Sequence, residues 1–284
     1  MRLARFGAIG RERPAVLTAP DTLVDVGSIV HDYDARFFAE GGLQRLREAS
    51  LDGLPTVAPG DVRLGAPIAV PQKIVCIGLN YADHAREAGF PVPEEPMVFL
   101  KAPNTLVGPH DDVVIPRGGE RVDWEVELAV VVGRRASYLA DEAQALEAIA
   151  GFSVVNDLSE RAFQLDRGGE WTKGKSCATF NPLGPWLVTT DEVDDPQALD
   201  LWLTVNGEEM QRSSTANMLW GAARLVHYVS QFMVLEPGDL IDTGTPGGVG
   251  NLLQPQRFLG AGDVVELGIT GLGEQRVVVV AGRD

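Results

Sequence analysis

Cysteine is nearly absent from this sequence, with two residues (Cys76 and Cys177) in 284. Two thiols cannot build a disulfide framework, and no C-x-x-C pair suggests a structural zinc or a redox dithiol. Basic runs are missing as well. Lys and Arg number 24 against 40 Asp and Glu, a formal balance of −16. That balance argues against an extended phosphate backbone or an anionic membrane surface, so neither nucleic acid nor a membrane is an expected partner. No apolar run reaches the ~20 residues needed to cross a bilayer. The first residues, MRLARFGAIGRERPAV, lack a continuous apolar core and do not read as a secretory signal. A cytoplasmic protein is therefore expected. Its 45% hydrophobic and 23% charged residues exclude the disordered and fibrous classes. What is plentiful is punctuation: 32 Gly and 18 Pro predict many turns between short strands.

The first 70 residues differ in character from the rest. Short apolar stretches at 3–6, 15–17 and 23–26 alternate with turn residues, as in hairpins. A helix is expected over about 36–49, with Phe37, Phe38 and Leu46 facing inward. The Pro- and Gly-rich connector at 55–71 marks a boundary, so a small N-terminal α+β domain (1–70) is expected beside a main domain (71–284). In the main part, strands are expected at 73–77, 113–115, 124–132, 152–155, 186–189, 201–205, 240–243, 264–269 and 275–280. Only two good helices, 142–150 and 218–232, stand among them. That proportion excludes a doubly wound sheet and predicts a β-rich α+β fold.

Segment 124–132 is the most informative. Trp124, Val126, Leu128, Val130 and Val132 share one face of a strand, while Glu125 and Glu127 open the other and are followed by Ala129 and Val131. Two carboxylates on one face of an apolar strand repel each other and bear a desolvation cost. A hard divalent cation with oxygen ligands is one solution. A solvated strand end with the acids paired to Arg134 or Arg135 is the other. A third carboxylate, Asp157, follows the strand at 152–155, open to reading as a ligand or as a turn or helix cap. Residues 169–176 fit the phosphate-loop pattern G-x-x-x-x-G-K-[ST]. The polar segment before them and Pro182 and Pro185 after them exclude the strand and helix that such a loop requires.

Further segments join the argument: GLNYADHAREAG (78–89), FLKAPNTLVGP (99–109), DWEVELAVVVG (123–133) with NDLSERAFQ (156–164), WTKGKSCATFNPLGPWLVT (171–189) and TGTPGGVG (243–250). Together, and in this order, they resemble the fumarylacetoacetate hydrolase family, with the look of bacterial members acting on sugar-derived 2,4-diketo-3-deoxy acids of the L-rhamnonate or L-fuconate type. The resemblance implies a mixed β-sandwich roll, a homodimer, and Mg²⁺ or Mn²⁺ held by Glu125, Glu127 and Asp157. It implies that His84 and Glu87 activate water, that Lys175 supplies a catalytic positive charge, and that Lys101, Arg161, Gln164 and Thr245 line the substrate site. His84 and Glu87, three residues apart, would share one side of a helical turn, a spacing that also suits an ordinary surface pair. The 243–250 loop could offer N–H groups to a carboxylate or be a plain turn. Tyr81 and Trp171 could touch substrate or anchor the core, and the loop 90–96 could close with His84 and Glu87 as a lid.

The expected reaction is hydrolysis of the C3–C4 bond of a 2,4-diketo acid, either sugar-derived or an acylpyruvate, with release of pyruvate. An oxaloacetate decarboxylase, or a related lyase or isomerase on the same scaffold, is the alternative. A non-catalytic metal-binding scaffold is a third reading, against which the acid triad and the His84–Glu87 pair both weigh.

Overall fold

The strand-rich pattern is realised as two large packed sheets and a two-stranded one, Val122–Asp123 with Ser159–Glu160, in a computed structural model, which describes residues 1–87, 89 and 91–282. The large mixed sheet has twelve strands, and its main path runs Thr56–Val57, Thr22–Asp25, Arg13–Ala19, Arg2–Phe6, Asn181–Thr189, Ile149–Asn156, Val126–Val132, Leu240–Asp242, Ile74–Gly78, Met97–Lys101. Along that path only Leu240–Asp242 and Ile74–Gly78 are parallel. The second sheet runs Glu208–Ser214, Asp200–Val205, Val264–Ile269, Gly273–Val280, Val113–Val114. The result is an α+β fold.

The alternation at 124–132 is what joins the two layers. Val126, Leu128, Val130 and Val132 pack in one buried cluster with Leu201, Leu203, Val205, Val265 and Leu267 of the second sheet. On the opposite face, Ala129 and Val131 pack with Leu3, Val16, Leu183 and Leu187. Both faces of this strand are therefore buried, and its acids cannot be a solvated end. Arg134 and Arg135 pair elsewhere, with Glu147 and Glu236. A register slip of one residue would drive both glutamates into the apolar cluster, at a cost of several kcal/mol.

Other expectations shift at their edges. The helix expected over 36–49 is two helices, Ala35–Ala39 and Gly42–Glu48, separated at Gly41, whose φ of 74° is left-handed. The helix expected over 142–150 ends at Ala148, because Ile149 already pairs with Val132. The 218–232 helix is confined to Ala222–Val229. After Ser176 the chain enters the strand Asn181–Thr189, with Pro182 and Pro185 inside it, where a phosphate loop would need a helix. Strands from the first 57 residues extend the large sheet through Arg2–Phe6, with Leu3 opposite Leu187. Among the described residues no helix is long and apolar enough to cross a membrane.

Topology gathers the site at one end of the large sheet. Val126–Val132 begins where the antiparallel Ile149–Asn156 finishes, with Val126 opposite Asn156. The parallel strands Ile74–Gly78 and Leu240–Asp242, with Cys76 opposite Asp242, end at the same place. Four chain segments thus deliver residues 78–84, 125–127, 157 and 243–250 to one spot.

Candidate active site

Glu125, Glu127 and Asp157 are each at most 5% exposed, and oxygens of all three lie within 4.8 Å of one another. The backbone fixes them. The Asp157 N–H donates to the Glu125 carbonyl at 2.9 Å, and the Gly244 N–H donates to Glu127 Oε2 at 2.7 Å. Gly244 has φ of 97°, and a Cβ there would lie 2.7 Å from Asn80 Cβ. Only glycine lets that amide reach Glu127.

Three cations surround these acids. Lys175 Nζ donates to Glu125 Oε2 at 2.6 Å, to Asp157 Oδ2 at 2.7 Å and to the Asp157 carbonyl at 3.1 Å. Arg161 donates through Nη2 to Glu125 Oε1 at 2.6 Å, through Nε to Asp123 Oδ2 at 2.8 Å and through Nη1 to Gln164 Oε1 at 3.0 Å. Lys101 Nζ donates to Asp157 Oδ1, to the Phe180 carbonyl at 2.6 Å and to Asn181 Oδ1 at 3.1 Å. Its three donors are spent behind Asp157. Lys101, expected at the substrate, is not among the residues lining the cavity.

The acids differ sharply in their electrostatics. Burial acts to raise the Glu125 carboxyl, but Lys175 and Arg161 outweigh it and hold the group down to about 2. Glu127 has no such cation beside it. Burial first, then the charges of Asp157 and Glu125, push its carboxyl well above the usual range. Asp242, deeper still, is pushed up to about 7 by burial and by Asp157. The Cys76 thiol is its hydrogen-bond donor at 3.7 Å, and its Oδ1 has no partner. The buried carboxylates Asp123, Glu125, Glu127, Asp157 and Asp242 thus outnumber the buried cations among them, Lys101, Arg161 and Lys175, and leave an excess of negative charge. Converging hard oxygens with that excess fit one divalent cation.

A cavity of about 230 Å³ opens onto Glu125, Glu127, Arg161, Gln164, Lys175 and Thr245. His84 projects into it from the helix Ala82–Glu87. Its Nδ1 is buried without a partner, and burial lowers the imidazole pKa below the ordinary 6.5. Glu87 lies on the same helix but forms no hydrogen bond with the imidazole. Its exposed carboxylate instead accepts the Gly248 N–H at 2.9 Å. Three amides of the glycine-rich loop are likewise taken by the protein's own carboxylates, Gly244 by Glu127, Gly248 by Glu87 and Gly250 by Asp123 at 2.7 Å. The Thr245 hydroxyl donates to the Val126 carbonyl at 3.0 Å and accepts from Gln211 at 2.9 Å. Trp171 lines the cavity, edge-on to Phe99 with ring centroids 5.2 Å apart. Tyr81 is fully buried and does not line it, and its hydroxyl has no partner. Of the loop expected at 90–96, Phe90 lies outside the described residues.

Asp123 and Asn80 are among the residues that escaped the sequence reading. Asp123 accepts from Arg161 and from the Trp124, Gly250 and Asn251 amides, so it ties the guanidinium to the glycine-rich loop. Its signal was present, since it precedes Glu125 by two residues and continues the acidic face. Asn80 donates to the Thr243 carbonyl at 2.7 Å and to the Trp220 carbonyl at 3.0 Å. Nothing local in the sequence marks that bridge.

Comparison with known proteins places this geometry. Residues 73–280 match the family described as fumarylacetoacetate (FAA) hydrolase, C-terminal. A Burkholderia cenocepacia protein, provisionally named a hydrolase, is 50% identical over 276 residues, which cover 97% of each chain. The fumarylacetoacetate hydrolase of psychrophilic Exiguobacterium antarcticum is 34% identical with TM-score 0.87, covering 99% of this chain and all of that one. Maleylpyruvate hydrolase from Sphingobium sp. SYK-6, solved with manganese(II) and pyruvate, is 31% identical with TM-score 0.84 over the whole of both chains.

Proposed function

The chain belongs to the fumarylacetoacetate hydrolase family of enzymes, and from that premise we propose that it is a divalent-metal-dependent hydrolase that cleaves the C3–C4 bond of a 2,4-diketo acid and releases pyruvate. The observation that carries this reading is the convergence of Glu125, Glu127 and Asp157 on one another, with Glu125 and Glu127 lining the cavity that also holds His84 and Lys175. Mg²⁺ and Mn²⁺ both suit an all-oxygen donor set, and the manganese and pyruvate of the Sphingobium enzyme support the same chemistry here. A cation held by Glu125, Glu127 and Asp157 supplies Lewis acidity to the 2-oxo acid head of the substrate.

The remaining work falls to the chain's own residues. His84, neutral at pH 7 because burial lowers its pKa, takes a proton from water. The hydroxyl adds to the C4 carbonyl, the C3–C4 bond breaks, and its electron pair leaves on C3 as the enolate of pyruvate. Lys175 sets its positive charge beside that developing anion in a site shielded from solvent. A proton then returns to C3, and the acyl fragment departs as a carboxylic acid. Glu87 fastens the helix bearing His84 to the glycine-rich loop through Gly248. Lys101 and Asp123 hold Asp157 and Arg161 in place.

The test is a panel of 2,4-diketo acids with Mn²⁺ or Mg²⁺, following loss of the enol absorbance together with pyruvate release. Turnover should disappear on chelation and return on adding metal. A protein that consumes no member of the panel with either ion is not this hydrolase.

A further inference from the structure

The cavity lining combines charged and apolar side chains. Every nitrogen of the lining cations is engaged: Arg161 Nε, Nη1 and Nη2 with Asp123, Gln164 and Glu125, and Lys175 with two acceptors on Asp157 and one on Glu125. No other Lys or Arg lines the cavity among the described residues. The rest of the lining is largely apolar and includes Phe99, Trp171, Leu165, Val249, Leu252 and Leu79, with the Phe99 ring centroid 5.5 Å from Lys175 Nζ. Asn251 is a polar residue of the same lining. The wall is built in place. Trp171 lies so close over Gly78 that a Cβ there would be 2.9 Å from its ring, and Leu79 sits at φ of 56°, a strained value for a leucine.

We infer that the apolar side chains of this lining receive an uncharged, apolar acyl group, so that the substrate is an acylpyruvate with an aliphatic or aromatic tail. The inference rests on the reaction proposed above and adds the identity of the tail. A second carboxylate at the far end of the substrate would leave water with no cation to meet it, and burying an unpaired charge is strongly unfavourable. The hydroxyls of a sugar-derived chain would lose their water for one amide and a row of hydrocarbon. An apolar tail meets neither penalty. Size agrees as well: an apolar cavity of about 150 Å³ holds a benzene ring, and the 230 Å³ here leaves room for the pyruvoyl head. The chemistry balances as addition of water across C3–C4, with the hydroxyl ending on the acyl carbon and the proton on C3.

With Mn²⁺, kcat/KM for benzoylpyruvate should exceed that for maleylpyruvate, and that for a 2,4-diketo-3-deoxy sugar acid, by at least tenfold. Equal or reversed preference overturns the assignment. A binding measurement separates it from the reaction itself, using calorimetric titration of the Mn²⁺-loaded protein with 2-oxo-4-phenylbutanoate and with 2-oxoglutarate. If no diketo acid turns over but the phenyl compound still binds at least tenfold more tightly, the reaction is wrong and the tail assignment stands. If 2-oxoglutarate binds as well or better, the tail assignment falls whatever turns over. Leu165→Arg places a cation at a wall position already 42% exposed. It should raise the maleylpyruvate-to-benzoylpyruvate activity ratio at least fivefold, a gain that misfolding cannot produce. An unchanged ratio in an active variant counts against the proposal.

Discussion

Two charged clusters of this protein use the same residue types to different ends. Near the N-terminus, Arg5 grips both oxygens of Asp32 at 2.6 and 2.9 Å, and Arg63 grips both oxygens of Asp111 at 2.7 and 2.6 Å. Each of these acids has its own guanidinium, and water reaches both partners. At the cavity, buried acids outnumber buried cations and point at one another, and Glu127 and Asp242 are driven toward protonation. The first arrangement is self-sufficient. The second is stable in its ionised form only with additional positive charge, and so it reads as a binding site while the first reads as a fastening.

Removing an acid should separate the two clusters most strongly. Asp157→Ala is expected to weaken Mn²⁺ binding and lower kcat/KM by about a thousandfold or more, as measured by calorimetry and pyruvate release. Ordinary metal affinity in that variant would make the cavity cluster no different from the N-terminal one. A smaller effect, about 10² to 10⁴ in kcat, is expected for His84→Ala, with Mn²⁺ affinity held within threefold. The same residue fixes the acid limb of the pH profile. Because burial lowers its pKa from 6.5, the imidazole stays neutral to lower pH, so kcat/KM should stay level on acidification through 6.5 and fall only below it. An acid limb centred above 6.5 would point to another base.

The mildest change is expected at the N-terminal cluster. Arg63→Leu leaves Asp111 without its cation and Glu12 with Arg5 alone and should cost about 1–3 kcal/mol of stability. That corresponds to a drop in Tm of several degrees, with kcat/KM per folded molecule within twofold of the parent. A tenfold loss of kcat/KM there would show that this cluster reaches the active site after all.

Much of this was visible in the chain itself, and for local reasons. Alternation along 124–132 separates the apolar face that joins the two sheets from the face that carries Glu125 and Glu127, because side chains on a strand must alternate. Pro182 and Pro185 are enough to reject a phosphate loop, since no α-helix can run through them. The spacing of His84 and Glu87 places them on one helix, yet it could not show that Glu87 bonds to Gly248 and not to the imidazole. Lys101 was beyond reach in the same way. A lysine's partners depend on which strand lies beside it, and here they come from residues 157, 180 and 181.

The sequence by itself determined the strand-rich α+β class, the family, and which acids share a face, because side-chain periodicity and turn chemistry act over a few neighbouring residues. Only the tertiary structure decided that the Gly244, Gly248 and Gly250 amides serve the protein's own carboxylates, that buried acids outnumber the cations among them, and that Phe99, Trp171, Leu165, Val249 and Leu252 line one cavity. Those relations join segments up to 161 residues apart, and they exist only once the ends of four strands have been packed to a common point.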